Sequence, residues 1–130
     1  MSETAPLIDE TREDEVVILT FNDPPRRNAM TKAMGEAFRD KIAELEGDTQ
    51  MRAVVLTGSG TAFSAGGDLD MISGLADKAH AGNARDEVRD FMRDFYGLFL
   101  SVRNLPVPTL AAINGHAIGG GFGLALVCDM

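Results

Sequence analysis

Twice in 130 residues this chain runs from a short apolar segment into a cluster of small residues and then into a helical pattern. The first junction is Ala62-Phe63-Ser64-Ala65-Gly66-Gly67-Asp68-Leu69. It follows Ala53 to Thr57 (AVVLT), a continuously apolar run of the kind buried strands show. The second spans Ala111-Ala112-Ile113-Asn114-Gly115-His116-Ala117-Ile118-Gly119-Gly120-Gly121-Phe122-Gly123. Small residues at such a junction let a ligand approach the main chain. The free N–H groups at a helix start point outward and favour negative charge. Two such turns facing each other would form an oxyanion hole from main chain alone. Either junction taken singly is equally well explained as a tight turn, so the functional argument rests on the pair.

A dinucleotide site is the rival reading of the glycines. Gly58-Ser59-Gly60-Thr61-Ala62-Phe63 begins like G-x-G-x-x-G but has Phe63 at the third glycine. The later glycine run follows a turn at Asn114-Gly115 instead of a strand of the right length, and no P-loop pattern occurs.

The remainder alternates strand and helix signals, which gives an α/β class. Residues 1–14 are polar and acidic and read as a solvated, disordered tail, leaving 15–130 as the domain. Glu15 to Phe21 reads as a strand, broken by Asn22, Asp23, Pro24 and Pro25. Thr31 can cap a helix whose apolar face is Met34, Phe38, Ile42 and Leu45, ending at Gly47. Gly58 to Gly67 reads as a loop, Asp68 to Ser73 as a short helix, and residues 74–83 as a mobile polar stretch. A long amphipathic helix is expected from Ala84 to about Arg103, with Val88, Phe91, Met92, Phe95, Phe99 and Val102 as core. Pro106 and Pro108 lead into a strand from Thr109 to Ile113, and Phe122 to Cys128 should be helical. That last helix runs to Asp129-Met130 without a basic last turn, so the domain reads as incomplete at its C-terminus.

The net charge of −8 argues against nucleic acid and anionic membrane as partners, because both reward clustered basic charge. No apolar run approaches the ~18 residues of a membrane span, and the N-terminus lacks the pattern of a secretory signal. Cys128 is the only cysteine, which points to a reducing, cytoplasmic setting, and its apolar neighbours suggest an inert buried thiol. No metal site is expected, because His80 and His116 are far apart and no Cys/His cluster exists. His116 has the ring chemistry of a base but sits in a turn, and His80 lies in the stretch expected to be mobile.

In order and spacing, the two junctions resemble the A-F-[SC]-A-G-x-D-L and P-x-[IL]-A-A-[IV]-N-G-x-A-x-G-G-G elements of the crotonase (enoyl-CoA hydratase/isomerase) family. The stretch Asn22-Asp23-Pro24-Pro25-Arg26-Arg27-Asn28-Ala29-Met30 resembles that family's N-R-P-x-x-x-N-A-[LM] turn. The resemblance covers the chain from Glu15 onward and the N-terminal part of the family's domain. It implies a crotonase-like spiral of ββα units and an acyl-CoA thioester as substrate, with coenzyme A part of that substrate and no separate cofactor. Carried over by position, Gly67 and Gly120 would donate the two oxyanion N–H groups. Ser64, Ala65, Gly66, Asp68 and Leu69 would line the coenzyme A channel, and Arg26 and Arg27 could meet its phosphates. The resemblance also implies a homo-oligomer, a trimer or hexamer.

One position departs from the pattern. Where hydratase members carry a catalytic Glu, three residues after the oxyanion glycine, this chain has Gly123. That favours isomerase-like or divergent chemistry over hydration, with a base from another segment. The alternative is a non-catalytic subunit that binds coenzyme A or serves assembly.

Overall fold

The computed structural model describes residues 5–82 and 84–130. β1 (Ile8–Glu13) turns at Asp14 and pairs antiparallel with β2 (Val16–Phe21), so that Ile8 lies opposite Phe21. The described part of the 1–14 segment is therefore mostly strand, not a free tail. Its composition resembles a tail because β1 is an edge strand with one buried side chain, Ile8. Two of its charged residues, Glu10 and Arg12, reach neighbouring segments. Arg12 bonds Glu10 at 3.1 Å and Asp48 at 2.6 Å, and Lys41 bonds Glu10 at 3.2 Å.

β2 pairs in parallel with β3 (Ala53–Gly58), and β3 with β5 (Thr109–Ala111), giving a four-stranded sheet in the order β1-β2-β3-β5. Val17, Leu19 and Phe21 alternate with less buried neighbours and, with Val54 and Leu56, turn one sheet face into the core. α1 (Lys32–Glu46) packs into that core, opened by a cap in which the Met34 N–H donates to Thr31 Oγ1 at 3.0 Å. Met34, Phe38, Ile42 and Leu45 are all buried, as their helical spacing predicts. Phe38 packs on Phe21 with ring centroids 5.5 Å apart, and on Phe99 at 6.2 Å. Phe99 belongs to α3 (Arg85–Leu100), which comes so close to α1 that a Cβ on Gly35 would stand 2.9 Å from Leu98 Cδ1 and Phe99 Cε2.

Five further expectations are corrected. α2 (Leu69–His80) continues well past Ser73, so the stretch read as mobile is helical up to His80, while Asn83 lies outside the described residues. α2 has no buried residue, which is why its composition resembles a loop. α3 ends at Leu100 and passes into a 3-10 turn over Ser101–Asn104, so its core face is carried by Phe95 and Phe99 with Val102 just beyond. The segment Gly58 to Gly67 is not all loop, because β4 (Ala62–Ser64) pairs in parallel with β6 (His116–Ala117). The last helix, α4 (Gly120–Val127), begins two residues earlier than Phe122, and β5 stops at Ala111. No described helix is long and apolar enough to cross a membrane.

Candidate functional site

The small β4–β6 sheet places the two glycine-rich junctions side by side. Ala62 lies opposite His116 and Ser64 opposite Ala117, and the Ile118 N–H donates to the Ser64 carbonyl at 3.0 Å. At this seam the small residues are a packing requirement. A Cβ on Gly121 would overlap the Ser64 carbonyl oxygen and come within 2.8 Å of Ser64 Cβ. Gly66 sits at φ +90°, and a Cβ there would stand 2.5 Å from the Ile118 carbonyl oxygen and 3.4 Å from the Gly120 nitrogen. The turn before α2 and the turn before α4 therefore touch through main-chain atoms alone.

The seam is tied from behind by Asn28, which is 1% exposed and adopts a left-handed φ of 54°. Its Nδ2 donates to the carbonyls of Ser59 (3.0 Å) and Ala62 (2.9 Å), and its Oδ1 accepts from the Asp23 N–H (2.8 Å). Its carbonyl accepts from Ser64 Oγ at 2.8 Å, and Ser64 Oγ also accepts from the Gly66 N–H at 3.2 Å. Asn114 does similar work from the other junction, donating to the carbonyls of Gly60 and Ala62 and accepting from the Gly58 N–H. Met30 closes the arrangement: its N–H donates to the Gly66 carbonyl at 2.7 Å, and its Sδ would stand 2.7 Å from a Cβ on Gly120. Neither Asn28, Asn114 nor Met30 stands among the residues that the motifs single out for a role. The available signal was their chemistry, since Asn tolerates left-handed backbone and bonds to nearby main chain.

Within the described residues, and with those groups engaged, the N–H groups of Gly67 and Gly120 are among those left without a protein acceptor at the contact. Gly120 opens α4, whose first N–H groups have no intrahelical partner. Gly67 precedes α2, whose start is capped by Asp68 accepting from the Asp70 N–H at 3.1 Å.

Two cavities flank this contact. A cleft of about 460 Å³ is lined by Arg26, Ala29, Ala65, Gly67, Asp68, Leu69 and Asp70. It brings together five of the residues expected at a binding site: Arg26, Ala65, Gly67, Asp68 and Leu69. Ser64 and Gly66 are buried behind it, with the Ser64 side chain committed to Asn28 and Gly66. Arg27 is exposed beside the cleft without lining it, and its carbonyl accepts from the Ala65 N–H at 2.9 Å. Arg26 makes a loose ion pair with Asp23 at 3.6 Å, leaving its guanidinium largely in solvent.

The second cavity, of about 200 Å³, is apolar and lies on the Gly120 side, between Met30, Tyr96, Phe99, Leu100, Leu124 and Val127. Gly123 also lines it, and a Cβ there would meet nothing within 4 Å. No carboxylate lines this cavity.

The other candidates are used structurally. His116 pairs in β6 and is exposed, and His80 Nδ1 lies 2.8 Å from the Ala76 carbonyl. Asp129 Oδ2 accepts from the Thr109 N–H at 2.9 Å and pins the end of α4 to β5. Burial pushes the Cys128 thiol above its ordinary range, so it is a poor nucleophile. No group of three or more His, Cys, Asp or Glu among the described residues could hold a metal ion.

The chain is similar to known proteins in both sequence and fold. The profile of the family described as enoyl-CoA hydratase/isomerase matches residues 11–130. A Thermus thermophilus protein assigned as an enoyl-CoA hydratase is 43% identical over 115 residues, covering 88% of this chain and 44% of that protein. The crystal structure of an enoyl-CoA hydratase from Bacillus anthracis superposes with a TM-score of 0.78 at 32% identity, covering 95% of this chain and 46% of that one. That of a monofunctional enoyl-CoA isomerase from M. smegmatis gives 0.71 at 31% identity, covering 97% and 49%. The chain thus spans about half the length of the relatives it matches. A profile match over nearly every described residue, with the same fold in solved structures, means that this chain belongs to the enoyl-CoA hydratase/isomerase, or crotonase, family.

Proposed function

We propose that the protein acts on an acyl-CoA thioester, holding the thioester carbonyl oxygen between the N–H groups of Gly67 and Gly120. A base removes a proton from carbon next to the carbonyl, or conjugated to it, and the electron pair of that C–H bond moves onto the carbonyl oxygen as an enolate. The observation that carries this reading is the main-chain contact between the two turns, with both of these N–H groups unpaired. The enolate oxygen bears more charge than the ground-state carbonyl, so the same donors bind the transition state more tightly. One such donor is worth on the order of 10²–10³ in rate.

In this reading the coenzyme A moiety lies in the cleft along Ala65, Asp68 and Leu69, with Ser64 and Gly66 shaping it from behind. Arg26, with Arg27 beside it, faces the phosphates. Coenzyme A arrives with the substrate, and no separate cofactor is needed. The acyl group enters the apolar cavity past Gly120. Isomerase-like or divergent chemistry is favoured over hydration, because Gly123 presents no side chain to the cavity and no carboxylate lines it. The base comes from a group outside the described cavity wall. Association as a homo-oligomer, trimer or hexamer, in the proposed reading would cover the exposed Phe122, Leu126 and Met130, and a cytoplasmic setting is part of the same proposal.

The test is proton exchange in D₂O, followed by NMR on butyryl-CoA, together with the fate of a 3-enoyl-CoA. The reading expects deuterium to enter next to the thioester carbonyl and the double bond to migrate faster than water adds. Exchange no faster than in buffer would sink the enolate reading. Fast hydration of a 2-enoyl-CoA would sink the isomerase preference while keeping the oxyanion site.

A further inference from the structure

We infer that Tyr96 determines specificity in the acyl cavity, its hydroxyl favouring acyl groups with an oxygen substituent close to the thioester over purely alkyl ones. The inference rests on the acyl-CoA reading above. Around the cavity, Met30, Phe99, Leu100, Leu124 and Val127 offer apolar surface, and Gly120 and Gly123 offer no side chain. Tyr96 is the one lining residue whose side chain carries an O–H or N–H. No hydrogen bond among the described residues involves its hydroxyl, and the residue is 37% exposed, so the hydroxyl is open to solvent.

Its ring is packed along one side. The ring meets Phe95 edge-on, with centroids 5.5 Å apart at 73°, and Phe95 is itself 3% exposed and stacked on Phe91. Tyr96 Cε1 lies 3.6 Å from where a Cβ would stand on Gly120, and the hydroxyl oxygen is two covalent bonds from that Cε1. The ring edge therefore lies at the Gly120 end of the cavity, with the hydroxyl two bonds from it. An alkyl chain entering there strips water from the hydroxyl and returns nothing. A hydroxyl or oxo group on the first carbons of the chain restores the lost hydrogen bond. A site that holds such an unpaired polar group rejects the analogue that cannot pair with it.

The experiment measures dissociation constants by calorimetry on the full chain for butyryl-CoA and 3-hydroxybutyryl-CoA, in the wild type and in Tyr96→Phe. Phe keeps the packing on Phe95 and removes only the hydroxyl, and circular dichroism confirms the fold. The expected result is roughly tenfold tighter binding of the hydroxyacyl thioester by the wild type, with the ratio falling to near one in Tyr96→Phe. An equal ratio in both proteins, or no preference in the wild type, overturns the role of Tyr96 and leaves the acyl-CoA reading standing. Binding of neither thioester by folded wild type overturns both.

Discussion

Two glycines in α4, two residues apart, are expected to respond to alanine in opposite directions. At Gly123 the space around a new Cβ is empty, and the position is inside the helix. Alanine there gains the full helix-propensity difference, about 1 kcal/mol. With an unfolding entropy near 2.1 cal/mol/K per residue, a chain of this length has roughly 270 cal/mol/K at its midpoint, so Gly123→Ala should raise Tm by about 4 °C. At Gly121 the same propensity gain is opposed by an overlap with the Ser64 carbonyl oxygen and a 2.8 Å approach to Ser64 Cβ. Both atoms belong to β4, and Ser64 is held by Asn28, so the neighbour cannot swing aside. Backbone shifts of this kind cost about 1–3 kcal/mol, and a clash with a backbone oxygen belongs in the upper part of that range, about 2–3 kcal/mol, giving a net loss of about 1–2 kcal/mol and a Tm lower by roughly 4–7 °C. Because the shift separates the two turns, Gly121→Ala should also weaken binding of butyryl-CoA in calorimetry. The measurement is thermal unfolding by circular dichroism of both variants beside the wild type. A Gly121→Ala protein as stable as Gly123→Ala would refute the claim that the two junctions are locked together by main-chain contact.

Asn28→Ala removes three side-chain hydrogen bonds at a site 1% exposed, and should cost about 3 kcal/mol in urea unfolding, while Gln at the same place should not rescue it because the geometry is too tight. Arg26→Ala should weaken coenzyme A binding only a few-fold and flatten its salt dependence, since the guanidinium is largely solvated, and calorimetry at two ionic strengths reads both. The Arg12 hydrogen bond, aided by the N–H of Gln50, holds the Asp48 carboxyl below its ordinary value of 3.8. A depressed folded value means the contribution is present above 3.8 and is lost as pH falls through the lower, folded value. Asp48→Asn should therefore be less stable than the wild type at neutral pH, with the difference shrinking as pH falls below 3.8, seen as a shallower acid limb in a pH titration followed by fluorescence of a bound apolar dye.

What could be read from the amino-acid order follows from burial. α1 was legible because Met34, Phe38, Ile42 and Leu45 repeat at helical spacing and all four are buried. β2 and β3 were legible because Val17, Leu19, Val54 and Leu56 are. β1 was not, because an edge strand with only Ile8 inside has the composition of a tail. α2 was not beyond its first turns, because a helix with no buried residue leaves no periodic constraint on its composition. β4 and β6 escaped notice for a different reason. They are three and two residues long, and their pairing is dictated by small residues that permit contact instead of large ones that drive it.

The same distinction governs the site. The glycine-rich junctions were visible as a pair, and their spacing pointed to two turns that could share a ligand. Which glycine serves which purpose is a property of the third dimension. Gly121 is required because Ser64 stands against it, Gly66 because its backbone is left-handed and the next turn touches it, and Gly120 because Met30 fills the space beside it. Gly123 has no such neighbour, so its glycine is not imposed by packing. Structural necessity therefore accounts for the seam and not for the missing side chain in the acyl cavity. That leaves Gly123 as the position where this chain accepts a Cβ at no steric cost to the fold, and Tyr96 in the same cavity as the polar group that the acyl chain meets in the proposed reading.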